Sequence, residues 1–293
     1  MNQEEILIYK KAGEIAKKVI KYAKSIIDSG IPLIEIAEKI ESKILELGGK
    51  PAFPCNLSIN DIAAHYTPSE EDETLASGLL KVDFGVHLQG YIIDTAFSLD
   101  LEDDKENKEL IEAAESALNS ALKIIKPGIE LWRIGEEIQN KITSFKFSPI
   151  RNLCGHQLGR YKVHAGITIP NTNNNNHTKL SPGFYAVEPF ATTGYGIVYD
   201  SKPSTIYRLE NLKPIRNPLA RKLLAFIEEN YKTLPFCERW LVKEFPHPKI
   251  ALKLLEQAGI ISQYSQLVEK SRKKVSQAET TILVNENKTE TFT

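Results

Sequence analysis

The chain has 293 residues, of which 42% are hydrophobic, and 37 Lys and Arg stand against 38 Asp and Glu. That length can bury a large core, as one large α/β domain or as two smaller ones. The near-zero net charge removes the electrostatic reason to expect nucleic acid or an anionic membrane as the main partner, and no apolar run is long enough to span a bilayer.

Residues 4–29 and 32–47 carry amphipathic helix patterns, separated by Ser29-Gly30-Ile31-Pro32, a helix stop followed by Pro near the next start. The first of them has the pattern of a helix and not of a signal peptide. Gly48-Gly49 ends the second helix, and residues 51–66 are expected to be loop with a short strand. A hairpin is predicted over 80–99. Helices follow at 103–126, closed by Pro127-Gly128, and at 131–146. The order helix, helix, sheet therefore occurs twice, a weak sign of internal structural repetition.

The second half shows strand-like runs near 162–170, 183–190 and 197–199, with a polar loop at Asn173–Asn176. From 209 to 267 the pattern is helical: 218–231, 235–242 and 248–257. This block is expected to be a helical subdomain inserted in a single domain of residues 1–293, with the sheet resuming at 278–284. Three widely spaced cysteines (Cys55, Cys154 and Cys237) fit no zinc-finger spacing, so a cytoplasmic chain with reduced thiols is expected.

The most informative segment is VDFGVHLQGYIIDTAFSL, residues 82–99. If Gln89-Gly90 is a two-residue turn, Leu88 pairs with Tyr91 and Asp83 with Ala96. Asp94 then lies on the same face as Asp83, one diagonal step away, whereas a slip of one residue would split them across the sheet. A solvated hairpin face is the plain alternative, and the apolar neighbours Ile92, Ile93, Ala96 and Phe97 weaken it.

His156, Glu188 and Glu279 also lie in or beside apolar runs: NLCGHQLGRYKVHAG, GFYAVEPF and ETTILV. Buried carboxylates are costly unless paired, protonated or bound to metal. A Lys or Arg partner would explain either Glu, and a structural hydrogen bond would explain His156. Asp83, Asp94, His156, Glu188 and Glu279 together form a donor set suited to two divalent ions.

The strings NDIAAHYTP, KVDFGVHLQGYIIDTAF, NLCGHQLGRYKVHAG, YAVEPF, LPFCERWL and QAETTILV, in this order over nearly the whole chain, resemble type 2 methionine aminopeptidases. The Asp, Asp, His, Glu, Glu order alone is shared with prolidases, aminopeptidase P and type 1 enzymes; the AAHYTP and HQLGRYKVHAG contexts are more specific. The resemblance implies an α/β (α+β) chain with the pita-bread (creatinase/aminopeptidase) fold, pseudo-twofold related halves and the inserted helical subdomain. The chain resembles the compact archaeal form, without the long charged extension of eukaryotic members.

By that resemblance Asp83 chelates one metal, Asp94 and Glu279 bridge both, and His156 and Glu188 complete the other shell. The cofactors are two divalent ions: Co, Mn, Fe or Zn. Glu188 serves as general base. His65 and His164 position substrate and stabilise the tetrahedral intermediate, and the free α-amine binds near Asp83. Phe53 and Val163 form walls of the methionine pocket, ordinary core packing being the alternative.

The reaction implied is removal of the initiator methionine where the second residue is small, so Met1, followed by Asn2, is expected to be retained. The implied partners are N-terminal segments of nascent proteins, with transient ribosome proximity, a monomeric state, no membrane and no specific nucleic acid. The competing readings are an X-Pro peptidase of the prolidase or aminopeptidase P kind and a non-catalytic binding protein on the same fold.

Overall fold

The computed structural model describes residues 3–286 and 288–293. Met1 and Asn2, on which the expectation of a retained initiator falls, lie outside the described residues. The chain begins with α1 (Gln3–Ile26) and α2 (Leu33–Glu46), followed by β1 (Lys50–Ile59) and β2 (Ile62–Ala64). Then come the hairpin strands β3 (Leu79–Leu88) and β4 (Tyr91–Asp100), and a second helix pair, α3 (Lys105–Ile124) and α4 (Leu131–Ser144).

Strands β5 (Ser148–Pro149), β6 (Cys154–Leu158), β7 (Thr168–Pro170), β8 (Gly183–Val187) and β9 (Phe190–Thr192) lead into the long β10 (Val198–Leu209). Beyond it lie α5 (Pro218–Asn230), β11 (Phe236–Cys237), α6 (Glu238–Val242) and α7 (Pro248–Gln257). The chain ends with β12 (Ile261–Glu269), β13 (Val275–Gln277), β14 (Thr280–Val284) and β15 (Thr289–Thr291).

Each helix pair covers one sheet. Tyr9, Ala12, Ala16, Val19 and Ala23 recur on one side of α1, at the spacing that keeps side chains on a single face. That stripe packs with α2 on the sheet β1-β3-β4, in a core containing Val82, Phe84, Ile92 and Ile93. The alanines of α3 (Ala113, Ala114, Ala117 and Ala121) let it lie close to the second half, where α3 and α4 share a core with Tyr185, Val187, Ile282 and Val284. These belong to the sheet β15-β14-β8-β6-β7. The two-fold occurrence of helix pair and sheet is thus present in space.

The hairpin has the expected register. Leu88 pairs with Tyr91, Asp83 with Ala96, and Asp94 stands opposite Gly85. Gln89 and Gly90 both have positive φ (54° and 87°), the requirement of the two-residue turn whose twist matches antiparallel strands. Gly90 also faces the Tyr161 ring, with which a Cβ would clash.

Several boundaries differ from the sequence reading. Residues 50–59 form a full strand, which Pro51 and Pro54 disguised; the ladder absorbs them through register shifts between Pro51 and Phe53 and between Phe53 and Asn56. Within 162–170 only Thr168–Pro170 is strand, and Cys154–Leu158 is a strand in its own right. The run at 197–199 opens a strand reaching Leu209, and 261–269 is strand and not helix, so helices in this block occupy only Pro218 to Gln257. β10 and β12 pair with each other, and Leu223, Ile227, Leu241, Leu252 and Leu255 from the intervening helices form their own core against Tyr207 and Phe236.

The helical block is tied to the frame through a buried ion pair. Arg239 on α6 donates to both carboxylate oxygens of Glu41 on α2, at 2.7 and 2.8 Å, and its Nε donates to the Pro68 carbonyl at 3.2 Å. Trp240 Nε1 donates to Glu41 at 2.8 Å. Cys55, Cys154 and Cys237 are free. Among the described residues, no helix is long and apolar enough to cross a membrane.

Candidate metal centre

The two half-sheets meet at the hairpin. Glu279, just before β14, makes an isolated antiparallel bridge to Ala96 on β4. Around it, Thr281 Oγ1 accepts from the Asp94 N–H at 2.7 Å and donates to the Asp94 carbonyl at 2.8 Å, while Ser98 Oγ donates to the Gln277 carbonyl at 2.8 Å. Glu188 arrives from the other side. β8 pairs with β14 up to Val187↔Thr280, and β9 pairs with β13 from Phe190↔Gln277. Glu188 and Glu279, 91 positions apart in sequence, therefore face the same break between two ladders. Asn171 Nδ2 holds the Glu188 carbonyl at 3.1 Å, and His156 on β6 is brought in by its pairing with Ala186.

One atom each from Asp94, His156 and Glu279 lies within 4.8 Å of the other two. His156 Nε2 is 3.6 Å from Asp94 Oδ2 and 3.5 Å from Glu188 Oε1, a spacing that suits atoms each about 2 Å from one cation. Asp83 joins through its diagonal position on the hairpin, and its Oδ1 is buried with no hydrogen-bond partner. Among the described residues, neither Glu188 nor Glu279 pairs with Lys or Arg; Gln277 Nε2 reaches Glu279 Oε2 at 3.4 Å.

Burial pushes the Asp83 carboxyl up to about 7. Burial, then the neighbouring carboxylates, hold Asp94, Glu188 and Glu279 well above the ordinary range. Burial and then His164 push His156 down to about 3, so its imidazole is neutral. A neutral imidazole among carboxylates that repel one another is a donor set that divalent cations complete. The residues fit metal.

These side chains line one cavity of about 470 Å³. All nine residues singled out from the sequence lie on its wall: Phe53, His65, Asp83, Asp94, His156, Val163, His164, Glu188 and Glu279. His65 is partly buried. It follows β2 with φ 63°, an uncommon conformation outside glycine that concentrates at functional sites. Its Nδ1 lies 3.1 Å from the Ser265 carbonyl, which can only accept, so Nδ1 carries the proton. In the neutral ring, Nε2 is then an acceptor. Burial lowers the pKa of His65, and burial, followed by His65 and Arg208, pushes His164 down to about 4. The His164 ring stands edge-on to His156, with centroids 4.4 Å apart.

Phe53 lies over Gly85, its cross-strand partner; a Cβ on Gly85 would approach the Phe53 ring to 2.5 Å. That glycine gives the ring its place beside Asp94. The cavity also has walls that sequence reasoning missed: Asn56, Cys154 and Tyr264. Tyr264 sits edge-on to His65, with centroids 5.1 Å apart. It belongs to β12, and taking that segment as helix hid it. Asn56 was hidden by taking β1 as loop. Cys154 opens β6, the other strand missing from the sequence reading.

The model of metallopeptidase family M24 matches residues 8–216. The methionine aminopeptidase of Pyrococcus horikoshii is 46% identical over 282 residues, covering 94% of this chain and 95% of that protein. Methionine aminopeptidase 2 of Komagataella phaffii is 36% identical over 304 residues, covering 95% of this chain and 67% of that protein. Among solved structures, that of a thermophilic Arx1 superposes with a TM-score of 0.87 at 18% identity, covering 100% of this chain and 91% of that one; at that identity the likeness shows the fold alone.

Proposed function

Since the chain belongs to metallopeptidase family M24, we propose that it is a type 2 methionine aminopeptidase that removes the initiator methionine from nascent chains whose second residue is small. The observation that carries this reading is the convergence of Asp83, Asp94, His156, Glu188 and Glu279 on one cavity, together with full-length similarity to methionine aminopeptidases. The pita-bread α/β fold is that of the family. Divalent metal use follows from family membership; the finer reading is two ions, Co, Mn, Fe or Zn. Asp83 would hold one, Asp94 and Glu279 both, and His156 and Glu188 the other.

Bound divalent ions supply Lewis acidity, which lowers the pKa of water and polarises the scissile carbonyl. The protein supplies the rest. Glu188 takes a proton from the attacking water and delivers it to the leaving amine. His164 donates to the developing oxyanion. His65 has its Nδ1 proton engaged by Ser265, so its Nε2 accepts an N–H of the substrate and positions the peptide. Phe53 and Val163 wall the methionine side chain, and the α-amine lies towards Asp83.

The chain acts as one catalytic domain, 1–293, with 209–267 as an insertion whose helical part closes over the frame. Its partners are N-terminal segments of nascent proteins, met near the ribosome by a monomeric cytoplasmic protein. Parallel assay of Met-Ala-Ser and X-Pro peptides tests the function: release of methionine from the first with no cleavage of the second is expected, and the reverse preference would contradict it.

A further inference from the structure

The register of β1 contains a feature that the metal centre does not explain. Phe53 stands opposite Gly85, and an unbroken ladder would next set Cys55 against Asp83. One extra residue is inserted after Phe53, and Asn56 stands there instead. Directly opposed residues share a sheet face, so this bulge turns Asn56 onto the cavity face beside Asp83 and turns Cys55 into the core. Bulges beside active sites serve to re-aim side chains in this way.

The bulge is held firmly. The Cys55 N–H donates to Glu41 Oε1 at 3.1 Å, and the Cys55 carbonyl accepts from Thr67 Oγ1 at 2.8 Å. Glu41 is itself fixed by Arg239. The anchoring therefore runs from the helical block through α2 to the one residue that sets the orientation of Asn56.

Asn56 is 4% exposed and lines the cavity. Its Nδ2 donates to the Pro54 carbonyl at 3.0 Å, which fixes the amide orientation and leaves Oδ1 as the free end. Oδ1 is buried and has no donor, as does its neighbour Asp83 Oδ1. A divalent ion held as proposed above would satisfy Asp83. A buried carboxamide oxygen left unpaired is costly, so it calls for a donor that arrives with the ligand. A peptide entering with its N-terminus towards Asp83 brings N–H donors on the α-nitrogen.

We propose that Asn56 Oδ1 accepts a hydrogen bond from the free α-amino group of the substrate, making Asn56 a residue that binds the substrate's N-terminus. This rests on the methionine aminopeptidase reading and names the residue that would recognise the amine. A ligand without the α-nitrogen brings no N–H donor there and leaves the Asn56 oxygen unpaired.

The test compares methioninamide with its des-amino analogue, 4-(methylsulfanyl)butanamide, by calorimetric binding to Mn-loaded wild type, Asn56→Leu and Asn56→Asp. Wild type should prefer the amine ligand. Asn56→Leu should lower that preference about tenfold, or ~1.4 kcal/mol, raise KM for Met-Ala-Ser and change kcat less than threefold. Asn56→Asp, which keeps an acceptor in place, should retain the preference within about threefold. If Asn56→Leu fails to fold, Asn56→Ala is judged by the same ratio. An unchanged ratio in the apolar variant overturns the assignment, and if wild type still cleaves Met-Ala-Ser the proposed function stands. A wild type that neither cleaves Met-Ala-Ser nor binds methioninamide overturns both.

Discussion

Glu279 and Ala96 exchange backbone hydrogen bonds across the join between the two halves: the Glu279 N–H donates to Ala96 at 2.9 Å, and the Ala96 N–H to Glu279 at 3.4 Å. Because Ala96 is also the cross-strand partner of Asp83, and Asp83 that of Asn56, one row runs Asn56, Asp83, Ala96, Glu279. This pairing carries a carboxylate from near the end of the chain to the hairpin that holds the first two.

Glu188 has the role that removal of its charge exposes most clearly. Glu188→Gln should lower kcat on Met-Ala-Ser by about 10²–10⁴-fold, the range of a positioned acid–base group, while the melting temperature changes little. Steady-state kinetics and a thermal melt check both parts; near-normal turnover would remove Glu188 from proton transfer.

Gly85 is expected to tolerate no side chain. Gly85→Ala places a Cβ 2.5 Å from the Phe53 ring, a strain of about 1–3 kcal/mol for an overpacked core. Displacement of Phe53 should raise KM more than it lowers kcat. Urea denaturation and peptide kinetics measure the two effects, and an unchanged KM would place Phe53 outside the methionine pocket.

Breaking the Glu41–Arg239 pair should cost about 3–5 kcal/mol, because either partner alone is left as a buried uncompensated charge. Glu41→Leu and Arg239→Met should each fall in that range by denaturant unfolding. The double variant should lose less than the sum. Additive losses would show the two side chains to be energetically independent.

His87 links stability to pH. It is 6% exposed, and its Nδ1 accepts from the Gly90 N–H at 3.1 Å, so the folded chain needs it neutral. Burial, then Lys50, push it down to about 4 from 6.5. A folded pKa below the unfolded one means that the unfolded chain binds the proton more readily. The contribution of His87 is therefore intact above pH 6.5 and is lost as pH falls from 6.5 towards 4, by about 3 kcal/mol in all. Wild type minus His87→Gln stability, measured across that window, should show the loss; a flat difference would contradict it.

Much of the centre was legible because hairpin parity and turn length fix which face Asp83 and Asp94 share, and both are local properties. Glu188 and Glu279 were legible as buried carboxylates without a local cation, although only the tertiary ladder shows them facing one break. The elements that were misread share a cause. Pro51 and Pro54 mimic a loop in β1, which bulges around them, and the polar residues of Ile261–Glu269 mask a strand only partly buried against β10. Asn56 and Tyr264 lie in those two segments, so two cavity walls went unseen. Bulge register and pairing between distant strands are set by neighbours that local periodicity does not contain.

The most direct test is hydrolysis of Met-Ala-Ser by the purified protein before and after chelator treatment, with divalent metal then added back. Loss of methionine release on chelation and its recovery with Mn or Co are expected from the carboxylate–imidazole centre. Undiminished methionine release by the fully chelated protein would contradict a metal-dependent peptidase.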